Sequence, residues 1–199
     1  MEIKKYKSLF RRYGVAGVTE LVCYKILRIF GIRVKRQYIL KYNIENNHVS
    51  SLTGVQELKI SDFQRYCKGD EDWFNKSKLK RIEAALDKNI ALGIIKDDRI
   101  INYGCINPCL TRIFDILIKE KACFFFDDYT HPDYRGQGFH KKSLIDRINY
   151  VSKLDYQEAY IIVDRYNKAS YKGVVKSGFH IYKTICLYKI WRGKTRSLY

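Results

Sequence analysis

Gly136 and Gly138 stand between two segments of different periodicity, and that junction constrains the fold more than any other feature. Before them, Ala122 to Thr130 is aromatic-rich and reads as a strand. After them, Phe139 to about Leu154 carries Phe139, Leu144, Ile145, Ile148 and Val151 on one helical face. A glycine pair at such a turn lets the backbone bend sharply and come close to a ligand. The amides of residues 135–140 then point outward at a helix N-terminus, where unpaired N–H groups and the helix dipole bind phosphate. Arg135 adds a fixed positive charge beside them. Two familiar phosphate loops do not fit. The dinucleotide fingerprint needs glycine at 141, where Lys141 stands, and the Walker loop needs a glycine before its lysine, where the run is Lys141-Lys142-Ser143.

The remaining pattern is α+β. His48 to Ile60 reads as a strand with one turn, 62–68 as a short helix, and 75–90 as a helix with Leu79, Ile82, Ala85 and Leu86 on one face. Ile90 to Ile95 and Arg99 to Cys105 form a hairpin around Lys96-Asp97-Asp98. Residues 110–119 fit a short helix or a strand. Ala159 to Val163 is a buried strand, Lys168 to about Lys176 a helix closed by Ser177-Gly178, and His180 to Trp191 a final strand or pair of strands.

With that order in place, Arg135-Gly136-Gln137-Gly138-Phe139-His140, led in by Pro132-Asp133-Tyr134, resembles the coenzyme A pyrophosphate loop of the GCN5-related N-acetyltransferase (GNAT) superfamily. Asn167-Lys168-Ala169-Ser170 and the later Gly178-Phe179 resemble that family's Asn-x-x-[Ser/Ala] helix and its closing Gly-Phe. The resemblance covers roughly residues 46–190. It implies a mixed, mostly antiparallel central sheet flanked by helices. It also implies transfer of an acetyl group from acetyl-CoA to a primary amine, with no metal. Tyr129, Thr130, Arg135, Gly136, Gln137, Gly138, Phe139, His140, Asn167 and Ser170 would contact the cofactor. Backbone at about Asp128 to Thr130 would hold the pantetheine and stabilise the oxyanion.

Two positions depart from the family pattern. His140 occupies the sixth loop position in place of Gly or Ala, and Val174 stands where many relatives carry a tyrosine that protonates the leaving thiolate. Tyr171, on the same helix, is the candidate substitute. For the general base, only one of Asp127 and Asp128 can face the cleft, because successive strand side chains alternate. Asp128 is favoured, and His131, which titrates near neutral pH, is its rival.

Charge divides the chain. It has 199 residues and a net charge of +17, of which residues 1–42 carry +9, from eleven basic and two acidic residues. We expect a basic amphipathic helical leader over 1–45 and the transferase domain over 46–199. Val15 to Ile32 is too often interrupted by charge to span a bilayer. As a helix it gathers Val18, Val22, Cys23, Ile26, Leu27, Ile29 and Phe30 on one half, with Glu20, Tyr24, Lys25 and Arg28 mostly on the other. That apolar half either packs on the domain's own core or lies on an anionic membrane. Val34 to Leu40 is similar to leaders of acetyltransferases associated with bacterial surface-polysaccharide synthesis, which implies an amino-sugar acceptor. Nucleic acid is not expected as a partner. Six cysteines without zinc-ligand spacing read as buried free thiols, and the chain as cytoplasmic, peripheral on the inner face of the membrane.

Overall fold

The structure, a computed structural model, describes residues 2–44, 54–66, 76–190 and 196–198. In chain order the elements are α1 (Glu2–Ile29), β1 (Ile32–Asn43), β2 (Gln56–Glu57), α2 (Ile60–Tyr66) and α3 (Lys76–Leu86). Next come β3 (Ile90–Lys96), β4 (Arg99–Asn107), β5 (Arg112–Ile113), β6 (Ile116–Leu117) and β7 (Ala122–Thr130). A 3-10 turn over Pro132–Tyr134 leads to α4 (Phe139–Ser152), β8 (Glu158–Asp164), α5 (Lys168–Lys176), β9 (His180–Ile190) and β10 (Arg196–Leu198). The class is the expected α+β, with mostly antiparallel strands flanked by helices.

The chain forms two compact units. One comprises residues 42–113 and 117–160, the other residues 1–41, 114–116 and 161–199. In the first, the hydrogen-bonded strand order is β2-β3-β4-β7, antiparallel throughout. Asp97 and Asp98 take φ of 50° and 54°, so the β3–β4 hairpin turns through two left-handed residues, as the twist of paired strands favours. Its core gathers Leu58, Phe63, Ile82, Ala91, Ile100, Tyr103, Cys105 and Tyr129. Phe63 of α2 meets Tyr103 edge-on at 5.1 Å. Asp62 accepts the Lys59 N–H at 2.7 Å, fixing the start of α2. Of the strand expected over 48–60, residues 45–53 lie outside the described residues, and β2 is the part seen. Residues 110–119, ambiguous in the sequence, hold two short strands and no helix.

In the other unit the strand order is β10-β9-β1-β8. Strand β1 was not foreseen. Its buried positions, Gln37, Ile39 and Leu40, break alternation because the register against β9 shifts between Ile39 and Leu40. Ile39, Leu40, Val174, Phe179 and Ile185 are buried here. Helix α1 packs against α5. Gly14, at φ 67°, breaks α1 into two helical stretches, and Gly31, at φ 75°, ends the second.

Most of the apolar half of α1 is exposed, with only Val18 and Leu27 half-buried. Gly17 is buried and Glu20 and Tyr24 are half-buried, while Val15, Val22, Ile26, Ile29 and Phe30 are exposed. Glu20 faces inward because it pairs with Arg36 at 3.8 Å and accepts the Tyr24 hydroxyl. The thiols also differ from expectation. Cys105 and Cys123 are buried, but Cys23 and Cys109 are exposed and Cys186 is intermediate, all free; Cys67 lies outside the described residues.

Candidate functional site

Strand β7 is bulged where the chemistry was expected. Tyr103 pairs with Tyr129 and Cys105 with Phe126, so Gly104 of β4 faces both Asp127 and Asp128. Asp127 takes φ of 52° to make room for the extra residue. The two carboxylates have partners on different helices. Asp127 takes the Lys78 ammonium of α3 at 2.6 Å and the Tyr103 hydroxyl at 3.3 Å. Asp128 takes the Arg147 guanidinium of α4, and His140 Nε2 stands 3.9 Å from its other oxygen.

Arg147 is fully buried. It donates to the carbonyls of Cys105 (3.2 Å) and Ser143 (3.3 Å) and lies over the Phe125 ring at 4.7 Å. A cation so deeply placed must be paired and hydrogen-bonded, and each of its three nitrogens has a partner. Burial alone would push the Asp128 carboxyl up, but the Arg147 charge, with His140 nearby, holds it below its ordinary range. A carboxylate held ionised by a buried cation accepts a proton poorly. The geometry therefore makes Asp128 the anchor of the bulge. Asp127 is ion-paired too, to a lysine and not to a guanidinium, and the two carboxylates are similarly exposed, 28% and 21%.

Beyond the bulge, Asn102 clamps the end of β7. Its Nδ2 donates to the Tyr129 carbonyl at 2.7 Å and to the Thr130 hydroxyl at 2.9 Å. The Tyr129 side chain is in the core, 5.6 Å from the Tyr103 ring. His131 is buried. Its N–H donates to the Ile101 carbonyl at 2.8 Å, and its Nδ1 accepts the Asp133 N–H at 3.3 Å. Capping the 3-10 turn thus occupies one ring nitrogen of this rival base.

The glycine loop follows. Gly136 and Gly138 have φ of 83° and 85°, and a β-carbon on either would meet nothing within 4 Å. Glycine is needed there for its backbone conformation and not to relieve crowding within the protein. Gly138 is the N-cap of α4 and has no side chain to cap with. The loop is braced from within: Arg135 Nε donates to the Thr130 carbonyl at 3.1 Å and Gln137 Nε2 to the Asp133 carbonyl at 3.0 Å. Phe139 meets Tyr134 edge-on at 5.9 Å. His140, the departure from the loop pattern, turns toward Asp128. These pieces form a 14-residue helix whose first N–H groups lack a side-chain cap, with an arginine beside them.

In the other unit, Asn167 caps α5 by accepting the Ser170 N–H at 3.3 Å. The Tyr171 ring lies 5.3 Å from that of Tyr38. Val174 is fully buried, so its position on α5 offers no place for a proton donor.

Sequence reasoning missed Arg147, Gly104, Lys78 and Asn102. Arg147 did leave a signal, a charged residue on a helix face otherwise made by Leu144, Ile148 and Val151.

No family model and no curated protein matches the chain by sequence. Solved structures do match its fold. An acetyltransferase of the GNAT family from Colwellia psychrerythraea superposes with a TM-score of 0.56 at 15% identity, over 84% of this chain and 61% of that one. An aminoglycoside N-acetyltransferase in complex with CoA gives 0.52 at 12% identity, over 71% and 98%. N-myristoyltransferase of Saccharomyces cerevisiae with bound myristoyl-CoA gives 0.54 at 7% identity, over 83% and 52%. The chain thus spans under two thirds of the length of the first and third. At these identities the likeness is one of fold, and the fold is that of the GCN5-related N-acetyltransferases.

Proposed function

We propose that the protein is an acetyl-CoA-dependent N-acetyltransferase acting on a primary amine. The observation that carries this reading is the open N-terminus of α4, with Gly136 and Gly138 left-handed and unobstructed before it and Arg135 beside it. The CoA pyrophosphate would sit on the amides of residues 135–140. The amine nitrogen attacks the thioester carbonyl carbon, the C–N bond forms, and the C–S bond breaks to release the thiolate. Backbone N–H groups between Asp128 and Thr130 would stabilise the oxyanion, and the bulge that Asp128 and Arg147 hold sets their direction. Asn167 and Ser170 are carried as further cofactor contacts. One of the two bulge acids, Asp128 by the family resemblance or Asp127, whose partner is a lysine, would take the ammonium proton, with His131 as the rival base and Tyr171 as the acid for the thiolate.

The acceptor we propose is an amino sugar, nucleotide- or lipid-linked, from a surface-polysaccharide precursor. An anionic acceptor suits a chain of net charge +17. The test is a spectroscopic thiol-release assay with acetyl-CoA across amino-sugar nucleotides, peptides and aminoglycosides. Release with an amino-sugar nucleotide supports the reading, and release with another amine alone reassigns the acceptor.

A second reading has one observation in its favour: both acids of the bulge are already ion-paired, as in a module that holds CoA without turnover. CoA binding with no thiol release from any amine would select it. A longer acyl donor is separated by running the same assay with other acyl-CoAs.

A further inference from the structure

Helix α1 exposes an aliphatic stripe. Gly17 is buried and Val18, Glu20, Leu21, Tyr24 and Leu27 are half-buried, while Val15 (74% exposed), Val22 (49%), Ile26 (49%) and Ile29 (81%) face outward. At about 100° per residue these four fall within an arc of about 60°. Phe30, 67% exposed, extends the stripe past the helix end. A water-facing helix ordinarily keeps so continuous an aliphatic stripe against a core, and this one leaves it outside.

Exposed cations accompany the stripe. Lys25 lies about 40° from its edge on the same wheel and Arg33 follows Phe30 just past the helix end, while Arg28, also exposed, lies further round. Among the described residues their segment has little acid to offset them, since Glu20 is turned inward onto Arg36. These cations separate the occupants this face can have. A second copy would bring two equally basic faces together, whereas an anionic bilayer neutralises the cations while accepting the stripe. Among the described residues no helix is long and apolar enough to cross a membrane, so the helix would lie along the surface.

We propose that the outward face of α1, from Val15 to Phe30, docks on an anionic phospholipid bilayer. The aliphatic stripe enters the upper acyl region, and Lys25 and Arg33 sit at the phosphates. This does not depend on the acetyltransferase reading, because no part of the glycine loop takes part.

The test is flotation of the full chain with phosphatidylcholine vesicles, with and without phosphatidylglycerol. The expected result is binding to the phosphatidylglycerol vesicles that falls roughly tenfold or more without that lipid. Ile26→Asp combined with Ile29→Asp should abolish it while leaving the circular dichroism spectrum and CoA affinity unchanged. Leu117→Asp, a charge placed on another exposed aliphatic position (73%), should bind as the unaltered chain does. Three results would overturn the proposal. One is no flotation with either vesicle. Another is flotation that the double variant leaves intact and salt removes, which reports general attraction to polyanions. The third is a lipid-free dimer, seen by sedimentation equilibrium, that the double variant dissociates, which gives the face to a second copy.

Discussion

A β-carbon placed on Gly104 would stand 2.5 Å from the guanidinium carbon of Arg147. The missing side chain on β4 is the space that the arginine of α4 fills, directly opposite the bulge of β7. Gly104→Ala should therefore destabilise the protein by ~2 kcal/mol, the ordinary cost of overpacking a closed core. In urea titrations, Arg147→Met should remove much of the penalty of the added methyl, so the two substitutions are non-additive. Full additivity would mean that the two positions do not meet.

Removing one partner of the buried pair should cost more than removing both. Arg147→Ala leaves Asp128 ionised without its cation, a loss of ~3–5 kcal/mol, whereas Asp128→Asn with Arg147→Met should lie closer to the parent. The pair also fixes a pH dependence. The folded carboxyl of Asp128 titrates below its unfolded value, so its stabilisation is present above the unfolded value of ~3.9 and is lost as pH falls through the lower folded value. Below about pH 4, stability of the parent should fall more steeply than that of Asp128→Asn. Parallel profiles would remove Asp128 as a cause.

Gly138→Val should lower CoA affinity tenfold or more by calorimetry. A branched side chain is strained at φ 85° and would project beside the amides meant for pyrophosphate. Unchanged affinity would move the cofactor elsewhere.

Thiol labelling should separate the cysteines by exposure. Burial pushes both Cys105 and Cys123 up to about 12, so neither supplies thiolate in the folded protein near neutral pH. Among the described cysteines, iodoacetamide should reach Cys23 and Cys109 first, as read by peptide mass spectrometry. Early modification of Cys105 would show that its unit opens far more readily than its packing implies.

At saturating acetyl-CoA, Asp127→Asn should lower kcat about 100-fold with the KM for acetyl-CoA unchanged, the usual scale for losing a proton acceptor. Full turnover in that variant would take Asp127 out of the proton path. A pH–rate limb lost in His131→Gln instead would pass the role to the histidine.

Sequence patterns announced much of this fold because the signals were local. The β3–β4 hairpin was legible because two apolar runs flank Asp97 and Asp98, and the α4 loop because left-handed backbone calls for glycine at 136 and 138. What stayed hidden depends on distant partners. Strand β1 hid behind a register shift at Ile39 and Leu40. Asp127 and Asp128 do reach different partners, but through a bulge that regular alternation does not foresee, and nothing in their order revealed that α3 would supply a lysine to one and α4 an arginine to the other. A helical wheel likewise divided α1 into two faces without saying which would turn inward.

The two loop glycines, twisted left-handed with empty space around them, make handedness the quantity that this turn selects, and not size. A D-alanine at 138, introduced by chemical ligation, would have the mirror-image preference that φ 85° asks for. Its methyl has the same bulk as that of an L-alanine. At φ 85° an encoded side chain is strained by its stereochemistry, while a synthetic residue of the opposite hand would stiffen the turn without that cost.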